Sequence, residues 1–144
     1  MLLCFVPIRR FASFCAASPA SSPSSAPAAP VEANSVVRWV ENQKGSEEFG
    51  NWFGRAVDGA VFADYYRIIA HPMDLHSVWQ KLREGKYTEP DEFAADMRLI
   101  WTNCKTYNAP LSLACLVGAS FSSSFEAKFA EWLPSLPKVF QVPF

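Results

Sequence analysis

Three residues close together, His71, Asp74 and His76, have the types that metal binding or acid–base chemistry would use. Their surroundings argue against it. His71 precedes Pro72 and so lies in extended chain. Asp74 stands where a helix N-cap belongs. His76 falls beside the apolar face of the helix that follows, not on it. The four cysteines are Cys4, Cys15, Cys104 and Cys115. They form no C-x-x-C pair, and no His lies at ligand spacing from them, so no metal site is expected. Cys104 and Cys115 sit within helical patterns, where buried free thiols are common, and a reducing compartment is the natural setting. No nucleophile is paired with a base and no cofactor motif occurs. The expectation is therefore no catalytic residue, no cofactor and no enzyme. Tyr65, Tyr66 and Tyr107, taken singly, read as core aromatics, and Asn108 as a helix C-cap.

These residues need a scaffold, and the chain can supply one. Half of its 144 residues are hydrophobic and 15% are aromatic, enough to bury a core. Residues 1–31 carry Arg9 and Arg10 and no acid, so the other 11 bases face 14 acids in the remainder. A mildly acidic domain is a poor match for a phosphate backbone and a better one for a basic protein segment. No direct nucleic-acid partner is expected. No run of about 18 apolar residues occurs, so no membrane span is expected either.

Four helical segments follow a tail of small residues and prolines. Residues 16–30 (AASPASSPSSAPAAP) cannot build a core and read as a disordered linker. The first helix starts at Asn34 or Ser35 as N-cap, carries Val36, Val37 and Val40 on one side, and stops near Gly45. The second opens at Pro72-Met73-Asp74-Leu75 with Asp74 as N-cap. Its face is Leu75, Val78, Trp79 and Leu82, and Gly85 ends it. The third has Thr88 and Asp91 in a T-x-x-D box with Pro90 in the first turn. Phe93, Met97, Ile100, Trp101, Cys104 and Tyr107 form its face, and Pro110 forbids continuation. The fourth starts at about Ser112 and presents Leu116, Val117, Phe121, Phe125, Phe129 and Trp132 until Pro134. No period-two run rich in β-branched residues appears, so the class is all-α. The expected units are a tail over 1–33, a helical domain over 34–133, and a second tail over 134–144. Between the first two helices lie about 28 residues, an uncommon length for a loop in a compact domain. They hold Phe49, Trp52, Phe53, Val57, Val61, Phe62, Tyr65, Tyr66, Ile68 and Ile69. A segment that apolar must pack on the bundle, as the wall of a pocket.

Two blocks make the pattern recognisable. Asp64-Tyr65-Tyr66-Arg67-Ile68-Ile69-Ala70-His71-Pro72-Met73-Asp74-Leu75 resembles the bromodomain signature PDYYxxIxxPMDL. Asn103-Cys104-Lys105-Thr106-Tyr107-Asn108 resembles that family's NCxxYN. Phe53, ahead of Ala56-Val57-Asp58, matches the Phe of its WPFxxPVD. The resemblance spans about residues 34–133. It implies a left-handed four-helix bundle with a long loop between helices 1 and 2, and binding of acetylated lysine.

By the resemblance, Asn108 donates its side-chain amide to the acetyl carbonyl. Tyr65 reaches the same oxygen through an ordered water. Phe53 and Val57 line the floor and side wall, Val61 and Phe62 the long-loop wall, Tyr107 braces the pocket, and Ala114 is the gatekeeper. The implied partner is an acetylated histone or other acetyl-lysine peptide, with other chromatin proteins as further partners, and a monomer is expected. The implied place is the nucleus. The alternative is the mitochondrion, if residues 1–20, apolar and acid-free around Arg9-Arg10, act as a transit peptide.

Acetyl-lysine is a neutral amide on an aliphatic stem. An unmodified ammonium would enter a pocket expected to hold no acid placed to pair with it, and burying an unpaired charge is costly. The hydrogen bond itself contributes about 0.5–1.5 kcal/mol net. A single acetyl-lysine should bind weakly, roughly −4 to −6 kcal/mol. Where the family has Trp-Pro-Phe this chain has Asn51-Trp52-Phe53. Ala56 and Ala63 replace two loop prolines, and Ala114 is small. A wider mouth is expected, tolerant of bulkier acyl groups or a second acetyl-lysine.

Overall fold

The computed structural model describes residues 33–136. The expected linker, the transit-peptide alternative and the apolar ending Phe140–Phe144 lie outside the described residues. Six helices are described: α1 (Ala33–Gly45), α2 (Gly50–Phe53), α3 (Tyr65–Ile68), α4 (Leu75–Arg83), α5 (Pro90–Tyr107) and α6 (Leu113–Trp132). The four long ones, α1, α4, α5 and α6, are the four expected. The two single turns, α2 and α3, interrupt the long loop. Among the described residues there is no strand.

The long helices form where apolar spacing and end signals agree. In α4 the Asp74 carboxylate accepts from the Ser77 N–H at 3.0 Å and its hydroxyl at 2.7 Å. At the other end Gly85 takes φ +63°, and the Lys86 N–H donates to the Lys81 carbonyl at 2.9 Å. That is a Schellman ending, and it needs a residue without Cβ at Gly85. In α6 the Ser112 hydroxyl accepts from the Cys115 N–H at 3.3 Å.

Three local expectations shift. α1 begins at Ala33, so Asn34 and Ser35 lie exposed in its first turn instead of capping it. The N-cap of α5 is Glu89, one residue later than Thr88. Its box partner is Glu92, not Asp91. The Glu92 carboxylate accepts from the Thr88 and Glu89 N–H groups and the Thr88 hydroxyl. Leu116 is 54% exposed. The buried stripe of α6 runs Ala114, Gly118, Phe121, Phe125, Phe129, Trp132, and Leu116 falls about half a turn away from it.

The core is a chain of rings between α6 and its neighbours. Trp39 of α1 stacks on Phe121 at 6.2 Å and meets Trp132 edge-on at 5.6 Å. Trp101 and Phe93 of α5 pack on Phe125 at 5.6 and 5.8 Å. Phe49 and Phe53, from the long loop, reach Phe121 at 4.9 and 5.9 Å. Such offset and edge contacts add to the burial of large apolar surfaces. The loop is therefore fastened into the same core as the bundle, which fixes the wall it presents.

Candidate functional site

The long loop, the C-terminal half of α5 and the start of α6 enclose a cavity of about 390 Å³. Phe53 and Val57 come to it from the loop, with Phe62 and Tyr65 further along. Tyr107 and Asn108 come from the end of α5, and Ala114 from the first turn of α6. Ile100, Met73 and Cys104 add to its apolar lining, as do Trp52 and Ala56 of the loop. Val61, expected in the loop wall, is not part of this lining and is 68% exposed. The cause is a tight turn. The Asp58 carbonyl accepts from the Val61 and Phe62 N–H groups, and the Asp58 side chain accepts from the Ala60 N–H. The turn carries Val61 outward and returns Phe62 to the cavity.

Asn108 is the C-cap residue of α5, but its backbone is extended, φ −95° and ψ 152°. A tolerance for left-handed geometry is therefore not what this position asks of its residue. Its Nδ2 donates to the Cys104 carbonyl at 2.9 Å and approaches the Cys104 sulfur at 3.5 Å. This fixes which end of the amide carries the donors. One N–H is well used. The other meets only sulfur, a weak acceptor.

The tyrosines meet one another in T-shaped contacts, and Tyr65 and Tyr107 share the cavity lining with Asn108. Tyr65 meets Tyr107 at 5.0 Å and Tyr66 at 5.3 Å, and Phe62 meets Tyr107 at 6.2 Å. Burial raises the Tyr65 phenol above its ordinary pKa, with Tyr66 adding to the rise, so it stays neutral and able to donate. The Tyr107 hydroxyl donates to the Asp64 carboxylate at 2.8 Å, which raises its pKa too. Tyr66, expected as a core aromatic, is 48% exposed. Its hydroxyl donates to the Val57 carbonyl, and it ties α3 to the segment that carries the side wall.

The bromodomain family model matches residues 38–115, more than half of the chain. This chain belongs to the bromodomain family. It is also 38% identical over 86 residues to "Transcription factor GTE9" of Arabidopsis thaliana, an alignment that covers 58% of this chain and 12% of that protein. The chain thus spans about an eighth of the curated relative it matches.

Several residues that support this bromodomain's cavity from outside its lining carry weak sequence signals. Asn103 is buried and its Nδ2 donates to the His71 carbonyl at 2.7 Å, pinning the loop end before α4 onto α5. A polar amide on the apolar face of α5 is the signal that marks it. Asp64 was visible only as the first letter of a motif, yet it holds Tyr107. Gly118 was silent: a Cβ there would meet Phe53 Cζ at 3.3 Å and Cys104 Sγ at 3.6 Å. Its missing side chain is what lets Phe53 lie against α6.

The cavity is not free of acids, contrary to the sequence expectation. Asp58 and Asp74 contribute to its lining, as does Arg55. A loop turn brings in the first, and the N-cap of α4 the second. His71 is exposed, and His76 stacks on Trp79 at 5.8 Å. Among the described residues no group of three or more His, Cys, Asp or Glu is placed to hold a metal ion. No described helix is long and apolar enough to cross a membrane.

Proposed function

We propose that this bromodomain is a binding module, not an enzyme, that recognises acetylated lysine on histone tails in chromatin-linked regulation of transcription, in the nucleus. The observation that carries the proposal is the under-used N–H of Asn108 on an apolar cavity wall. A carbonyl oxygen is a far better acceptor than the Cys104 sulfur now opposite it. An acetyl carbonyl entering the cavity takes that hydrogen while the bond to the Cys104 carbonyl keeps the amide oriented. Tyr65 is neutral, and among the described residues its hydroxyl has no hydrogen-bond partner, which leaves it to hold a bridging water. Phe53, Val57, Phe62 and Ala114 enclose the aliphatic stem and methyl, with Tyr107 bracing from behind. Val61 has no part in the site so described. The relative's name, a transcription factor, supports the transcriptional setting. The binding unit is residues 34–133.

Calorimetric titration of acetylated and unmodified histone H3 and H4 tail peptides tests this. Wild type should bind the acetylated forms weakly, roughly in the tens of micromolar to millimolar range. Asn108→Ala should lose the acetyl-dependent heat. Equal and negligible binding of both peptide sets would leave a helical scaffold for protein contacts, a role that the altered Asn51-Trp52-Phe53 segment favours.

A further inference from the structure

Cys104 and Cys115 are both free thiols, on facing surfaces of α5 and α6. Cys115 is partly exposed in the first turn of α6, and Cys104 is buried with its side chain in the cavity lining. The Cys115 thiol donates to the Cys104 carbonyl at 3.8 Å and interacts with the Cys104 thiol. Both Cys104 atoms in these contacts, its carbonyl and its sulfur, also touch the Asn108 amide.

We propose that Cys104 and Cys115 are a two-electron modification site at the root of the cavity, closed to a disulfide by a hydroperoxide, and that closure disturbs the Asn108 anchor. The second half rests on the acetyl-lysine reading; the first does not. Cys115, within reach of solvent, attacks the peroxide. A sulfur–oxygen bond forms, the oxygen–oxygen bond breaks and an alcohol leaves, giving a sulfenic acid. Burial pushes the Cys104 thiol up to about 11, so it resists oxidants in bulk solvent. It reacts with its neighbour instead. Its sulfur attacks the Cys115 sulfur, the sulfur–sulfur bond forms, the sulfur–oxygen bond breaks, and water departs with the thiol proton. The pair is oxidised by two electrons and one hydroperoxide is reduced to alcohol and water. Forming the bond takes the Cys115 sulfur off the Cys104 carbonyl and pulls Cys104 towards α6, which shifts the carbonyl that orients the Asn108 amide.

The test uses the full chain carrying Cys4→Ser and Cys15→Ser, treated with tert-butyl hydroperoxide. Mass mapping should find a Cys104–Cys115 linked peptide and no free thiol. Affinity for an acetylated histone peptide should fall about five-fold or more, as for a weakened hydrogen-bond anchor, and return on reduction with dithiothreitol. Cys115→Ser should keep the reduced-state affinity and ignore the oxidant. Overoxidised or intermolecular products in place of the internal link would overturn the site. A mapped disulfide with unchanged affinity would overturn the coupling to Asn108. Absence of acetyl-dependent binding in the reduced protein would defeat the coupling together with the proposed function, while the mass map still decides the disulfide.

Discussion

Replacing Gly118 by Ala separates the stability of this bundle from the shape of its cavity. The new methyl carbon would lie 3.3 Å from Phe53 Cζ, 3.6 Å from Cys104 Sγ and 3.8 Å from Trp101 Cβ. Carbon atoms rest at about 3.5–4.0 Å, so Phe53 must retreat by a few tenths of an ångström. Phe53 is stacked on Phe121 and only 7% exposed, so it has little room on that side. Overpacking of this kind costs about 1–3 kcal/mol. Against that, Ala is favoured over Gly inside a helix by about 1 kcal/mol. The two nearly offset for Ala, so the net loss of stability should be about 0–2 kcal/mol. Val adds two further methyl carbons and a helix penalty, and should cost about 2–4 kcal/mol. Under the proposed function, Phe53 forms the cavity floor. Its displacement by Gly118→Ala should weaken acetyl-lysine binding by about 0.5–1 kcal/mol, roughly two- to five-fold. Urea unfolding and calorimetric titration of one protein preparation give both numbers. A Gly118→Ala protein with unchanged stability and unchanged affinity would refute the claim that the missing Cβ positions Phe53.

Three further outcomes are expected. Asn103→Ala takes the 2.7 Å donor from the His71 carbonyl, a partly buried bond, and should cost about 1 kcal/mol in urea unfolding, with faster amide exchange in residues 69–73. Alkaline pH should destabilise the fold in a defined window. The Cys104 thiol is raised from its ordinary 9.0 to about 11, so its neutral form is favoured by folding. Its contribution is complete below about pH 9 and is lost as pH rises to about 11, and Cys104→Ser should flatten that part of the profile. The Tyr87 phenol, raised above its ordinary 10.0 by burial and by donating to Asp96, extends the fall to higher pH. Tyr87→Phe should remove that extension. Finally, Ala114 is small and lines the cavity, so butyryl-lysine peptides should bind as well as acetyl-lysine ones. Ala114→Ile should narrow the site and favour acetyl by about 1 kcal/mol or more; equal ratios in both proteins would remove Ala114 from the acyl subsite.

The four long helices were legible because each carried both a periodic face and an end signal. Leu75, Val78 and Leu82 are buried, and Asp74, Ser112 and Gly85 end helices where their chemistry requires it. The shifts came where two residues could serve the same end: Glu89 against Thr88, Glu92 against Asp91. The long loop was legible as apolar but not as structure. Its two single turns, α2 and α3, are too short to show a period. Whether a loop residue faces in or out depends on turns such as the one Asp58 builds, which is why Val61 and Phe62, adjacent in the chain, part company. Tyr66 misled for the same reason. Its partner is a backbone carbonyl, and backbone carbonyls carry no residue signature.

Under the proposed function, the acids in the cavity change where selectivity against unmodified lysine must come from. Asp74 already accepts two short hydrogen bonds from Ser77, and this use restrains it from turning towards a ligand. Asp58 is exposed, with one oxygen on the Ala60 N–H, and Arg55 shares the lining with it. A charge pair in water at about 4 Å is worth roughly 1 kcal/mol, and salt screens it further. Exposed Asp58 can therefore draw a basic peptide towards the cavity without making an ammonium comfortable inside it. The groups that meet the end of the lysine chain under the proposed function are different: an amide, a neutral phenol, and the apolar walls from Phe53, Ile100 and Ala114. None of them carries a negative charge to replace the hydration an ammonium would lose. Attraction of the basic peptide and rejection of its unmodified lysine then fall to different atoms. Removing the Asp58 charge acts on the first, and changing Asn108 or Phe53 acts on the second.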